Sequence, residues 1–189
     1  MNKTKRKIFE TSMKLFAEKG YEATSVEEIT AKVGVAKGTL YYHFTSKEEI
    51  FNFLIEEGMK LLKNSIEIKI SKSNNYIEKL KAIILIQIKV MAKYEDLMVI
   101  VLSQIWGNEP RNILCKNYVI EYIEMLQKII QEAIDAGEII RADASIMASE
   151  IFALTCSTLI YTRKEKKEID VARLYKEYEN TIIRQIKNS

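Results

Sequence analysis

The sequence predicts an all-α chain, and three observations carry that prediction: turn residues are scarce, apolar residues recur at helical spacing, and capping signals stand ahead of the apolar runs. In 189 residues there are six glycines and one proline, Pro110, whereas a sheet protein of many short strands needs much denser punctuation. Hydrophobic residues make up 48% and charged residues 29% of the chain, a globular balance that excludes a disordered or fibrous protein. The length suits one domain with a small appendage. We expect a three-helix head over residues 1–47, joined by a long helix to a larger helical body over 48–189.

The elements follow in order. From residue 3 to residue 19, Ile8, Ser12, Leu15 and Phe16 share one face while lysines and glutamates take the other, predicting the first helix. Gly20 closes it as a left-handed cap, and Tyr21 is placed to fold back onto the helix end. Ser25 and Glu28 form a capping box for a second helix with the stripe Val26, Ile29 and Val33. Gly34 ends that helix, where a positive φ is cheap only for glycine. A third helix begins almost at once, with Val35, Leu40 and Phe44 inward and Lys37, Thr39, Tyr41, Tyr42 and His43 pointing elsewhere. Ser46 and Glu49 make a second capping box and open a connecting helix through Ile50, Phe51, Leu54, Leu61 and Leu62 to Ile70, with a break expected at Gly58. Residues 71–75 are the clearest loop, where local disorder is expected. Further helices are expected near 76–94, 96–107, 111–136, 143–163 and 170–187. No internal repeat and no Gly/Ser linker interrupts them, so the two parts are expected to communicate through packed helices.

A net charge of +3 is too small to identify a polyanion-binding protein, but its distribution is uneven. Residues 1–47 carry nine basic side chains against five glutamates, a surplus of +4, and the rest of the chain is −1. Cys115 and Cys156 stand far apart without metal-ligand or disulfide spacing, so we expect buried, inert thiols, no metal or cofactor, and a cytoplasmic location. Lys14, Glu18 and Lys19 interrupt any signal-like apolar run. The stretch 144–161 comes nearest to a membrane span, but Glu150 and its serines and threonines make it read as a buried soluble helix, with no membrane partner. Enzyme chemistry finds no support: His43 is the single histidine, and there is no phosphate-binding glycine loop, nucleophile elbow or paired metal ligand.

Two short helices meeting at a glycine turn let the second enter a major groove about 12 Å wide while the first braces it. Lys37 offers an ammonium to phosphate or guanine, and Gly38 permits close backbone approach. Tyr41 and Tyr42 combine a flat apolar body with a hydroxyl, although Tyr41 also suits a core position, and His43 suits either a phosphate or a structural role. Ser25 and Lys47 stand at helix starts, where backbone N–H groups and the dipole favour a phosphate.

The segment 24–47, TSVEEITAKVGVAKGTLYYHFTSK, with the preceding Gly20-Tyr21 turn and the following Glu48, resembles the DNA-binding motif of the TetR family nearly throughout, and the likeness spans about residues 5–55. The resemblance implies a sequence-specific transcriptional regulator that touches double-stranded operator DNA through Ser25, Lys37, Gly38, Thr39, Tyr41, Tyr42, His43 and Lys47. It implies a homodimer on a palindromic operator, acting as a repressor that a small-molecule effector releases. An activator, a ligand-independent regulator, and a small-molecule or lipid carrier are the alternatives. One departure is Ala36, where serine or threonine is common in the family, so the recognition helix loses a capping oxygen.

In the body, Met91, Tyr94, Met98, Trp106, Tyr118, Tyr122, Phe152 and Cys156 supply aromatic and sulfur surface for an apolar or aromatic effector, with Trp106 the first choice. The same spacing also describes plain core packing. Ile151, Leu154, Thr155 and Thr158, with Val171, Leu174, Tyr175, Tyr178 and Ile182, give two apolar faces that suit one core or a four-helix dimer interface.

Overall fold

The computed structural model describes residues 3–165 and 168–186. Over them run α1 (Lys3–Lys19), α2 (Val26–Val33), α3 (Lys37–His43), α4 (Lys47–Ile70), α5 (Tyr76–Lys93), α6 (Glu95–Gln104), α7 (Pro110–Asp135), α8 (Ala144–Lys164), α9 (Val171–Tyr178), a π-helical turn (Glu179–Ile183) and α10 (Arg184–Ile186). The helices fall where spacing and caps predict them; the expected end at 187, and residues 166 and 167 of the expected break at 163–168, lie outside the described residues. Pro110 is the first residue of α7, where its missing N–H costs nothing. The residues pack as two compact units, Met1–Lys60 with Asp96–Asn117 and Leu61–Glu95 with Tyr118–Ser189. Thus the first part of α4, most of α6 and the start of α7 pack with the head, whereas the sequence suggested a simple division after residue 47.

In the first unit the predicted face of α1, Ile8, Ser12, Leu15 and Phe16, is buried. Ile29, Leu40, Phe44, Ile50, Phe51, Leu54 and Ile55 complete its core, each such side chain contributing about 1.5–3 kcal/mol of burial. Gly58 does not break α4, which runs unbroken from Lys47 to Ile70. It is a point of close approach: a Cβ there would stand 2.1 Å from Leu97 Cδ2 of α6. The turn between α6 and α7 is tied by Asn112, whose Nδ2 donates to the backbone oxygen and to Oε1 of Gln104, both at 2.8 Å, while its Oδ1 accepts from Glu109 N–H at 3.0 Å.

In the second unit α5 is the most enclosed helix, burying Ile77, Leu80, Ala82, Ile83, Ile84, Ile88 and Met91, and it packs against α8 and α9. Side-chain caps start the helices: Asn75 Oδ1 accepts from Glu78 N–H at 2.8 Å, Asp143 Oδ1 from Ser145 N–H at 2.9 Å, and Asp170 Oδ1 from Arg173 N–H at 3.0 Å. The loop at 71–75 is therefore partly a capping structure. Gln87 is the one polar residue on the buried face of α5; its Oε1 accepts from Tyr122 Oη at 2.6 Å and its Nε2 donates to Thr155 Oγ1 at 2.5 Å. The expectation of a buried α8 is corrected: only 33% of its apolar stretch lies inside the chain. Cys115 is buried as expected, whereas Cys156 is only half-buried; burial pushes the Cys115 thiol up to about 12 and the Cys156 thiol up to about 11.

Candidate nucleic-acid interface

The outward rod is α3, and its surroundings are built by local chemistry. Ser25 Oγ accepts from Glu28 N–H at 3.1 Å and starts α2. The reciprocal half of this capping box is not made, because the Glu28 carboxylate pairs with Lys19 instead. Gly34 turns the chain with a φ of 77° while its N–H donates to Thr30 O at 2.9 Å. Ala36 caps α3 with no side-chain bond, as its missing oxygen predicts. Below the rod, Leu40 and Phe44 are buried. Above it, Lys37, Gly38 and Thr39 are exposed, Tyr41 is 42% and Tyr42 84% exposed, and Tyr42 meets His43 edge-on at 5.1 Å. Tyr41 is therefore no core residue, and six of the eight predicted DNA contacts, residues 37–39 and 41–43, share one short helix.

Gly38 is informative because nothing inside the chain requires it. Its φ is ordinary, and a Cβ built there would meet nothing within 4 Å. A glycine within a helix costs about 1 kcal/mol relative to alanine. Within the chain that cost has no visible return.

Lys47 also has a role inside the chain. Its ammonium donates to Tyr21 O and Thr24 O, both at 2.9 Å, and lies 4.2 Å from the centre of the Tyr21 ring. Two of its three protons are thus committed to the turn before α2, which it fastens to the start of α4. Tyr21 folds back on α1 as predicted, 5.5 Å from Phe16 between ring centres, and it also carries the Arg111 guanidinium at 4.7 Å. Arg111 adds an ion pair with Glu22 at 2.5 Å. Desolvation by burial, followed by the charge of Glu48, pushes the Tyr21 phenol above its ordinary range. Sequence reading missed Arg111, since its partners lie ninety positions back and no spacing rule connects them.

Electrostatically, the rod's single lysine is not unattended. Lys37 Nζ stands 2.5 Å from Glu27 Oε1 of α2, and 5.9 Å from the Tyr41 ring centre. Their hydrogen bond is the first cause that holds the Lys37 ammonium above, and the Glu27 carboxyl below, its usual range. Lys19 also pairs with Glu28, and Lys32 lies 3.9 Å from Glu18. Among the described residues no cluster of three or more His, Cys, Asp or Glu is arranged to hold a metal ion.

The predicted effector residues divide between the units. Tyr122 and Phe152 stand 6.1 Å apart between ring centres, and Cys156 lies close enough to Tyr122 to act on its charge. Tyr122 and Met91 are buried, while Tyr94 and Tyr118 are half-buried in the same unit. Met98 and Trp106 belong to the first unit, and Trp106 is corrected as the leading choice: it is 86% exposed and lines no interior surface. The predicted dimer set is corrected likewise at Ile151, Thr155 and Tyr178, which are buried within the chain. Tyr178 Oη donates to Leu154 O at 3.0 Å and contacts Thr158 Oγ1 at 2.5 Å, so this ring fastens the π-turn end of α9 to α8. Thr158, Val171, Leu174, Tyr175 and Ile182 are half-buried, and Leu154 is exposed.

A braced, outward-facing second helix after a glycine turn defines a helix-turn-helix protein. The chain belongs to the tetR family of bacterial regulatory proteins, whose description matches residues 8–54. A Clostridium perfringens protein named as a fatty acid metabolism regulator has 36% sequence identity and a TM-score of 0.88, the match covering 97% of this chain and 100% of that one. The HTH-type transcriptional regulator YerO of Bacillus subtilis (strain 168) is 32% identical over 170 residues, 85% of this chain and 57% of YerO. IcaR of Staphylococcus aureus (strain Newman), the negative regulator of the biofilm operon icaADBC, is 38% identical over 76 residues, 40% of this chain and 41% of IcaR. The chain thus spans little more than half the length of YerO and less than half that of IcaR.

Proposed function

We propose that the protein is a cytoplasmic, homodimeric transcriptional repressor that holds a palindromic operator through α3 and leaves it when an apolar effector occupies the second unit. The observation that carries the DNA-binding part is Gly38, an exposed helical glycine with open space at its Cβ position beside Lys37, Thr39 and Tyr42. A DNA strand passing that point can come close because Gly38 has no side chain, and the neighbours offer it a hydroxyl and a phenol, with the Lys37 ammonium within reach of a base edge. Family membership, and the name of IcaR as a negative regulator, favour repression.

The dimer reading rests on α8. Ile146, Ser149, Glu150, Ala153, Ser157, Ile160 and Tyr161 are exposed at helical spacing, Glu150 being the one charge among them. Ile160 is 68% and Tyr161 62% exposed, an apolar stripe that suits a self-complementary contact. For the effector, Tyr122, Phe152, Cys156 and Met91 supply apolar surface in one unit. A long acyl chain fits that chemistry, and the name of the Clostridium relative points the same way.

The test is duplex binding across a salt series. Affinity is expected to fall steeply as salt rises. A Lys37→Ala, Tyr42→Ala double variant is expected to bind tenfold to hundredfold more weakly, about 1–3 kcal/mol. Full affinity in that variant, with its fold intact, refutes the assignment of α3.

A further inference from the structure

The only lysine or arginine on α3 is Lys37, and its ammonium is occupied by the first glutamate of α2. Both side chains are more than half exposed, at 55% and 66%, so the contact is not a structural necessity: an exposed pair of this kind contributes little to stability. Its consequence appears when a polyanion arrives. A phosphate that approaches the ammonium brings a second anion up to a single cation, so it is repelled by the carboxylate where that stays bound and leaves the carboxylate bare beside a strand of like charge where it is displaced. A bare phosphate contact therefore returns little.

A guanine edge presents a different exchange. O6 and N7 are neutral acceptors, and an ammonium has three protons, so Lys37 can serve a guanine while one proton stays with Glu27. The carboxylate then remains covered and never faces the phosphates alone. We propose that Glu27 is a specificity-determining residue of the DNA-binding surface, an internal competitor that suppresses phosphate-only binding by Lys37 while leaving its contact with a base edge open. The inference rests on the DNA-binding reading of α3 given above.

The geometry separates this glutamate from its neighbours. Glu28 is drawn to Lys19 on the far end of α1, and Glu18 to Lys32, so neither touches the recognition helix. Glu27 alone reaches across the turn to α3 among the ion pairs recorded for the described residues. Its side chain caps no helix: α2 is capped by Ser25, and the Thr30 hydroxyl bonds the Glu27 backbone oxygen. Glu27→Gln removes one of two first-turn charges of α2 but keeps the Ser25 cap and the Thr30 bond to its backbone oxygen.

The experiment measures full-length protein by fluorescence anisotropy on two 30-base-pair duplexes, one of random sequence and one selected by the wild-type protein from a random pool, over a salt series. Glu27→Gln is expected to tighten binding to the random duplex about tenfold and to steepen its salt slope by about 0.9, the value of one further phosphate neutralised. Binding to the selected duplex is expected to change less than threefold, so the ratio between the two falls. In a Lys37→Met background the gain from Glu27→Gln is expected to vanish. Equal gains on both duplexes, or a gain that survives Lys37→Met, overturn the proposal by showing a general charge effect. No gain at all overturns it too, while leaving DNA binding by the wild type in place. Failure of the wild type to bind either duplex removes the DNA-binding reading itself and this inference with it.

Discussion

The Arg111 guanidinium lies over the Tyr21 ring at 4.7 Å and pairs with Glu22, joining the first turn of α7 to the turn that precedes α2. Lys47 holds the same ring at 4.2 Å from the start of α4. The turn before the recognition unit is therefore shaped by two cations whose own positions depend on later helices. Arg111→Ala is expected to cost about 1 kcal/mol, from a partly exposed ion pair and a cation–π contact. It is also expected to speed amide exchange over residues 20–24. Arg111→Lys is expected to recover little, because an ammonium cannot stack as a planar guanidinium does. Unchanged exchange in the alanine variant would remove Arg111 from this role.

Tyr122→Phe is expected to destabilise the protein by about 1–3 kcal/mol in urea unfolding, because it strands Gln87 Oε1 without its donor inside the second unit. Combining it with Gln87→Leu and Thr155→Val is expected to cost less than the separate variants summed, since the stranded groups leave together. Strict additivity would mean that the three side chains do not act as one network.

Besides Glu27, hydrogen bonds hold two further carboxyls below their usual range: the Thr45 hydroxyl and N–H at Glu49, and the Ser145 hydroxyl with Ile146 and Ser145 N–H at Asp143. A carboxyl depressed in the folded state contributes stability that is fully present above its unfolded value, near pH 4, and is lost as pH falls through the folded value. Melting temperature is expected to decline below about pH 4 for this reason. A Glu49→Gln, Asp143→Asn variant is expected to melt lower at pH 7 and to show a flatter acid decline.

Ile160→Glu with Tyr161→Glu places two charges on the exposed stripe of α8. Sedimentation equilibrium is expected to show a monomer with unchanged helical circular dichroism, and binding to a palindromic duplex is expected to weaken. A variant that stays dimeric would move the interface elsewhere.

Native Cys115 and Cys156 are expected to resist iodoacetamide at pH 8 and to react once denaturant is added. With thiols pushed up to about 12 and about 11, less than roughly one in a thousand is thiolate at that pH. Rapid labelling of folded protein would show that one of them is accessible and ionised.

The sequence by itself determined the helices and the outward rod, because those features are written in short intervals. The four-residue recurrence of Ile8 and Ser12, the cap at Ser25, the left-handed turn at Gly34 and the run of polar and aromatic residues from Lys37 to His43 each act within a few positions. Tertiary structure decided whatever depends on partners distant in the chain. Spacing placed Lys47 at a helix start with a phosphate in view, but the nearest acceptors proved to be the carbonyls of Tyr21 and Thr24. It placed Gly58 as a break, but Leu97 of α6 makes it a point of contact. It made Trp106 a pocket residue and Tyr178 an interface residue, while packing left the first in solvent and enclosed the second. Periodicity tells which side of a helix is apolar; only the arrangement of the other helices determines whether that side meets its own chain, a ligand or a second copy.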